Sequence, residues 1–226
     1  MSIRKTPFVN GEFYHIYNRG VDKRNIYSDP SDRTRFKKSM DEFNVLEPIG
    51  SIYEKTFADK RFGGLASKSK ELVNFIAYCL NPNHYHFLLE QVADRGIEKF
   101  MHKMGTGYTR YFNDKYKRTG ALFQGKFKSI HVDSNEYLLH VSAYVNLNDR
   151  VHKLNQFGGK ASKFLLGSES SWREYTGEGK KGFCEKGIIL EQFKNRVDYK
   201  KFAEDSLRDI VERRDTSADL KDFLLE

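Results

Sequence analysis

The sequence predicts an α+β sandwich, an antiparallel sheet with helices on one side, followed by a mainly helical C-terminal extension. Three observations carry that expectation. Apolar runs of strand length, at 12–18, 72–80 and 85–89, are interleaved with segments of helical period at 32–47, 95–117 and after Asp133. The second and third runs are joined by Asn81-Pro82-Asn83, a turn sequence that makes them a β-hairpin. After about residue 151 the chain turns to loops rich in Gly, Ser and Lys and then to helical patterns.

Each element has its own local reason. EFYHIYN at 12–18 alternates loosely and reads as a first strand, ending at Arg19-Gly20. Asp29-Pro30-Ser31-Asp32 offers a helix start, and Phe36, Met40, Phe43 and Leu46 then fall at helical spacing. Residues 49–57 read as a short strand and 58–70 as a loop. A long helix is expected over 95–117 despite Gly105 and Gly107. Ile97, Met101, Met104, Tyr108, Tyr111 and Phe112 share one side of it, and Lys99, Lys103, Arg110 and Lys117 the other. Residues 118–133 read as a glycine-punctuated loop plus a short strand, and Asp133-Ser134 cap a helix running to about Leu147. Two further helical patterns lie near 188–213 and 217–225. The order strand, helix, strands, helix, strand, helix suits a ferredoxin-like arrangement over 1–150, with 151–226 as an extension.

Bulk properties narrow the function classes. The chain of 226 residues is long enough for one sizeable core plus an appendage. No stretch approaches ~18 uninterrupted apolar residues, so no membrane helix is expected. The first residues, MSIRKTPFVNGEFYH, lack the apolar core of a secretory signal. Cys79 and Cys184 are the only cysteines, which argues against a disulfide framework or zinc cluster and for a reducing cytoplasm. Net charge is +8, and the segment from Arg95 to His131 carries nine Lys and Arg against Glu98 and Asp114. Charge that is so localised points to a polyanion partner. The cations are Lys99, Lys103, Arg110, Lys117, Arg118, Lys126 and Lys128, together with Arg95 and Lys115.

The chemistry concentrates in two places. In the strand after Asn83, His84 and His86 sit at i and i+2 and point to one face, while Tyr85, Phe87 and Leu89 point to the other. Two neutral imidazoles on a rigid strand can chelate a divalent ion, although such pairs are more often ordinary polar residues. On the helix after Asp133, a 100° step places Tyr137, His140, Tyr144 and Asn148 on one face. A phenol is a weak nucleophile at its ordinary pKa of ~10, and a nearby cation activates it. The plain alternative is a tyrosine-rich helix packing on the sheet.

The segment AYCLNPNHYHFLLEQ resembles the YCLMPNHVHLLL signature of single-tyrosine HUH transposases, particularly the REP-associated tyrosine transposases of the IS200-like family. FYHIYNRGVDKRNIY, MGTGYTRYFNDKYKRTGALFQGKFKS, EYLLHVSAYVNLN, SSWREYTG and ILEQFKNRVDYKKF resemble further stretches in the same order. The chain departs from the family where Tyr85 replaces an aliphatic, where Asp149-Arg150 follow Asn148, and in a longer 49–73 region. The resemblance implies His84 and His86 as metal ligands, Asn148 as the third, and Tyr144 as nucleophile, with Tyr137 the competing choice. It implies Mg²⁺ or Mn²⁺ and a hairpin-forming single-stranded DNA partner. The implied activity is cleavage and strand transfer through a 5′-phosphotyrosine link, by a monomer or homodimer. The alternatives are a binding module that grips structured DNA or RNA without cutting it, and a metal-dependent hydrolase that uses water.

Overall fold

The computed structural model describes residues 7–47, 70–151, 167–178 and 182–216. The expected strand at 49–57, most of the loop at 58–70 and the helix at 217–225 lie outside them. Strand β1 is Phe13–Arg19, β2 is Val73–Asn81, β3 is His84–Gln91, β4 is Lys128–Val132 and β5 is Glu169–Ser170. They form one antiparallel sheet in the order β4-β1-β3-β2-β5. The first four strands thus run 4-1-3-2, the ferredoxin-like order, and β5 extends the β2 edge. The hairpin between β2 and β3 turns on Pro82-Asn83 as the sequence predicts.

Helix α1 (Pro30–Glu42) starts where it is expected to. Asp29 accepts from the Asp32 backbone N–H at 3.0 Å while the Asp32 carboxylate accepts from that of Asp29. That reciprocal pair satisfies two of the donors a helix start leaves over. Helix α2 (Gly96–Tyr116) spans the expected 95–117. Its Gly107 is required by packing, because a Cβ there would lie 2.5 Å from the Phe43 ring. Helix α3 (Asn135–Asn146) is capped by Ser134, which accepts from the Tyr137 N–H. A short turn, α4 (Asn148–Val151), continues it after Leu147. The C-terminal segment adds α5 (Trp172–Thr176), α6 (Gly187–Leu190) and α7 (Arg196–Thr216). The single helical pattern expected at 188–213 is therefore divided at 191–195, where Asn195 caps a new start by accepting from the Val197 and Asp198 N–H groups.

Two cores sit on opposite faces of the sheet. On one face Tyr14, Ile16, Phe75, Tyr85, Phe87 and Leu89 pack against Phe36 and Met40 of α1 and Phe100, Met104 and Tyr108 of α2. On the other, Ile76, Ala77, Cys79 and Leu88 pack against Leu138, Val141 and Val145 of α3, with Trp172, Tyr175, Ile189 and Tyr199. The one-sided sandwich is thus closed on its second face by α3 and the C-terminal helices.

Candidate functional site

The histidine pair lies on the second face. Phe87 and its alternates fill the dry core, so His84, His86 and Leu88 must face the other way. The β1 register then aligns His15 with Leu88, Tyr17 with His86 and Arg19 with His84. The β2 register aligns Cys79 with His86 and Asn81 with His84. All these side chains share the histidine face. A β-bulge between Phe75 and Ala77 supplies the phase, because the extra residue turns Ala77, Cys79 and Asn81 away from the dry core to which Phe75 belongs.

Helix α3 lays its tyrosine over this face. The Tyr144 ring centre lies 5.6 Å from those of both His86 and His15, edge-on to each. Tyr137 is half-buried further up the helix, and burial with the nearby Asp133 raises its pKa. Of the two sequence candidates, Tyr144 is the one the structure packs on a histidine of the pair. His140, which helical spacing placed on the same face, turns aside instead and bonds Ser206 of α7 at 3.1 Å.

Asn148, fully buried at the start of α4, brings its carboxamide oxygen to 3.3 Å from His84 Nε2. Asn83 Oδ1 lies 2.7 Å from His84 Nδ1. With that oxygen accepting, Nδ1 carries the ring proton and Nε2 presents its lone pair towards Asn148. Two lone-pair donors facing one point are what a cation binds. Ligands about 2.1 Å from one ion at right angles stand about 3 Å apart, close to the observed span. The residues therefore fit a divalent ion. Among the described residues no cluster of three or more His, Cys, Asp or Glu side chains is gathered for a metal.

Two buried residues that the sequence reading passed over complete the site. His15 Nε2 lies 2.9 Å from His86 Nδ1, and the two rings stack with centres 5.1 Å apart. Burial pushes the His15 pKa down to about 3, so the ring is neutral. A neutral His15 accepting from Nδ1 fixes the His86 tautomer that carries its proton on Nδ1. Asn81, fully buried, donates to Asn148 Oδ1 at 2.6 Å and lies 2.7 Å from His84 Nε2. The signal for His15 was present in the alternation of β1, where it shares a face with Tyr17. No sequence signal marked Asn81.

The C-terminal helices hold the end of α3. Asn146 donates to the Tyr199 hydroxyl of α7 at 2.9 Å and accepts from Ser171 Oγ at 2.6 Å. The Tyr199 hydroxyl also lies 3.3 Å from Ser142 Oγ. These bonds fix the helix between Tyr144 and Asn148.

The basic residues divide. Lys99, Lys103, Arg110 and Lys117 sit on or at the end of α2, across the sheet from the histidines. Lys103 is committed to the carbonyls of Val45 at 2.5 Å and Glu47 at 3.3 Å, and burial lowers its pKa. Lys99 bonds the Asp94 carbonyl at 2.7 Å, and Arg118 bonds Asn113 at 3.0 Å. Arg110, Lys117 and Lys126 are exposed. Lys128 is brought to the site, its Nζ 5.9 Å from the centre of the Tyr17 ring, which stacks on His86. A groove of about 930 Å³ between α2 and residues 121–127 is lined by Arg95, Thr106, Thr109, Phe123 and Lys126. The aromatics of this basic segment, Tyr116, Phe123 and Phe127, are partly buried against the dry core. Tyr116 moreover bonds Asp32 at 2.7 Å.

Among the described residues, no helix is long and apolar enough to cross a membrane. No curated protein matches the chain. Residues 60–148 match the family model described as "Transposase IS200 like". Among solved structures the chain is similar to a REP-associated tyrosine transposase bound to a REP hairpin, with a TM-score of 0.50 and 10% identity. That match covers 81% of this chain and 90% of the other. The chain thus shares a fold with that structure along most of its length, and its centre carries a sequence pattern similar to that of IS200-like transposases.

Proposed function

We propose that the protein is a metal-dependent endonuclease and strand transferase acting on single-stranded DNA beside a hairpin. The observation that carries this reading is the convergence of Tyr144, His84, His86 and Asn148 on one face from three separate elements. His84 Nε2, His86 Nε2 and Asn148 Oδ1 would hold Mg²⁺ or Mn²⁺. When bound, such an ion supplies Lewis-acid polarisation of the scissile phosphate. Tyr144 attacks the phosphorus in line, its Oη–P bond forming as the bond from phosphorus to the 3′ oxygen breaks. The phenol proton leaves to solvent, and the 3′ oxygen departs as a hydroxyl. The 5′-phosphotyrosine retains an energised ester, so a later 3′-hydroxyl reverses the step and joins strands without a nucleotide cofactor.

His15 positions His86, and Lys128 faces the phosphate beside the site. Arg110, Lys117 and Lys126 offer further phosphate contacts, with Lys99, Lys103 and Arg118 as weaker contributors because they already serve backbone or side-chain partners. Residues 1–150 contain every group named in the chemistry, and Ser171 and Tyr199 of the C-terminal segment buttress the end of α3. The hairpin is taken from the solved relative, which is bound to one.

The test is incubation of the protein with labelled single-stranded hairpin DNAs, with and without Mn²⁺, on a denaturing protein gel. A metal-dependent adduct, lost in Tyr144→Phe and kept in Tyr137→Phe, is the expected result. Binding without an adduct across a broad hairpin library would leave the non-cleaving module. Cleavage surviving loss of both tyrosines would leave a hydrolase that uses water.

A further inference from the structure

We propose that Asn81 is a fourth protein ligand of the metal site, acting as a clasp between the other ligands when no ion is bound. The inference rests on the metal reading above and goes beyond its three-ligand set. Asn81 is the last residue of β2, directly opposite His84, and is fully buried. Its Nδ2 lies 2.7 Å from His84 Nε2 and 2.6 Å from Asn148 Oδ1, the two atoms that face each other at 3.3 Å. An N–H donor thus sits against the two lone pairs that a cation would take.

That arrangement is self-consistent only without a cation. With an ion on His84 and Asn148, the Asn81 N–H₂ would point its positive hydrogens at a positive charge. Rotating the carboxamide by half a turn about its terminal torsion, a broad and roughly two-fold one, puts Oδ1 where Nδ2 was. On the Oδ1 side the rotation gives up only a 3.6 Å approach of the Cys79 thiol, a weak donor, while the two contacts of Nδ2 are exchanged for ligation of the ion. It also supplies a second oxygen to a set otherwise made of two imidazoles and one amide. Hard divalent ions favour oxygen ligands, so the added carbonyl suits Mg²⁺ or Mn²⁺. The resembling signature carries Met at this position, a side chain with no N–H to clasp and no oxygen to offer.

The experiment measures Mn²⁺ binding by isothermal titration calorimetry and the melting temperature of the metal-free full chain. It uses the wild type, Asn81→Leu and Asn81→Asp. In Asn81→Leu, Mn²⁺ affinity is expected to fall tenfold or more, the scale of losing a group that ligates or orients at a metal. In Asn81→Asp, affinity is expected to hold or tighten while the metal-free melting temperature falls, because a carboxylate ligates but cannot donate to Asn148. Leu binding Mn²⁺ as tightly as the wild type, or more tightly, would make Asn81 only a competitor of the ion and overturn the proposal. Asp weakening binding as much as Leu would reduce Asn81 to a structural role. A folded wild type that takes no Mn²⁺ would overturn the metal reading and this proposal together, whereas binding by the wild type that Leu leaves intact would overturn this proposal alone.

Discussion

The two faces of the sheet are made by the same strands and do opposite work. Along β3, Tyr85, Phe87 and Leu89 enter a dry core of aromatic and aliphatic side chains, where Phe36 meets Tyr108 edge-on at 4.8 Å and Phe75 meets Phe87 at 5.3 Å. Between them His84 and His86 face a second layer in which His15, Asn81 and Asn148 are fully or almost fully buried. Burying polar groups costs free energy unless they are hydrogen-bonded, and here they bond one another. The difference teaches how the protein separates stability from chemistry. The dry face is packing alone, whereas the histidine face sets its polar cluster beside a second apolar core that includes Leu88, Val141 and Val145.

The comparison predicts that substitutions on one face leave the other's readout alone. The largest effect is expected for Tyr144→Phe, which should lower adduct formation about 10³-fold or more while thermal stability stays near that of the wild type. An adduct that persists would mean the tyrosine over the histidines is not the nucleophile. Next comes Phe87→Ala on the dry face, expected to cost about 3–5 kcal/mol in urea denaturation. Mn²⁺ affinity of its folded fraction should be unchanged, and a large loss would show that the faces are coupled.

A smaller change is expected for His15→Leu, about 10- to 100-fold weaker Mn²⁺ binding by calorimetry, since the lost acceptor fixes the His86 tautomer. Unaltered binding would remove His15 from the site. The smallest concerns the clasp between α1 and α2, where Lys115 Nζ lies 2.6 Å from Asp29 and 2.7 Å from Asp32. The hydrogen bond from Lys115 holds the Asp29 carboxyl below its usual range. A lowered folded pKa gives stability that is present above the unfolded value of ~3.9 and lost as pH falls through the folded one. Lys115→Met should therefore cost about 1 kcal/mol or less at pH 7 and reduce the loss between pH 5 and pH 3, read by urea denaturation at each pH.

Much of this was legible in the chain because it rests on local rules. Strand alternation put His84 and His86 on one face, and Asp29 and Ser134 marked helix starts by their capping chemistry. Helical spacing alone left Tyr137 and Tyr144 as rivals, because a periodicity gives a face and not a distance. It also set His140 with them, although a serine on α7 draws that ring away. The basic residues were read as one stripe, yet Lys103 closes carbonyls after α1, a use that only its neighbours in space reveal.

The sequence by itself determined the element order, the ferredoxin-like strand pattern, the histidine pair and the helix bearing its tyrosine, all through interactions a few residues long. Tertiary structure alone decided which tyrosine lies over the histidines, that His15 backs His86, and that Asn81 reaches the site. The last depends on the bulge between Phe75 and Ala77. Strict alternation from Phe75 would have buried Asn81 in the dry core, and one extra residue in the ladder turns it to the histidine face. A register is set by the partner strand, and so it is not written in either strand alone.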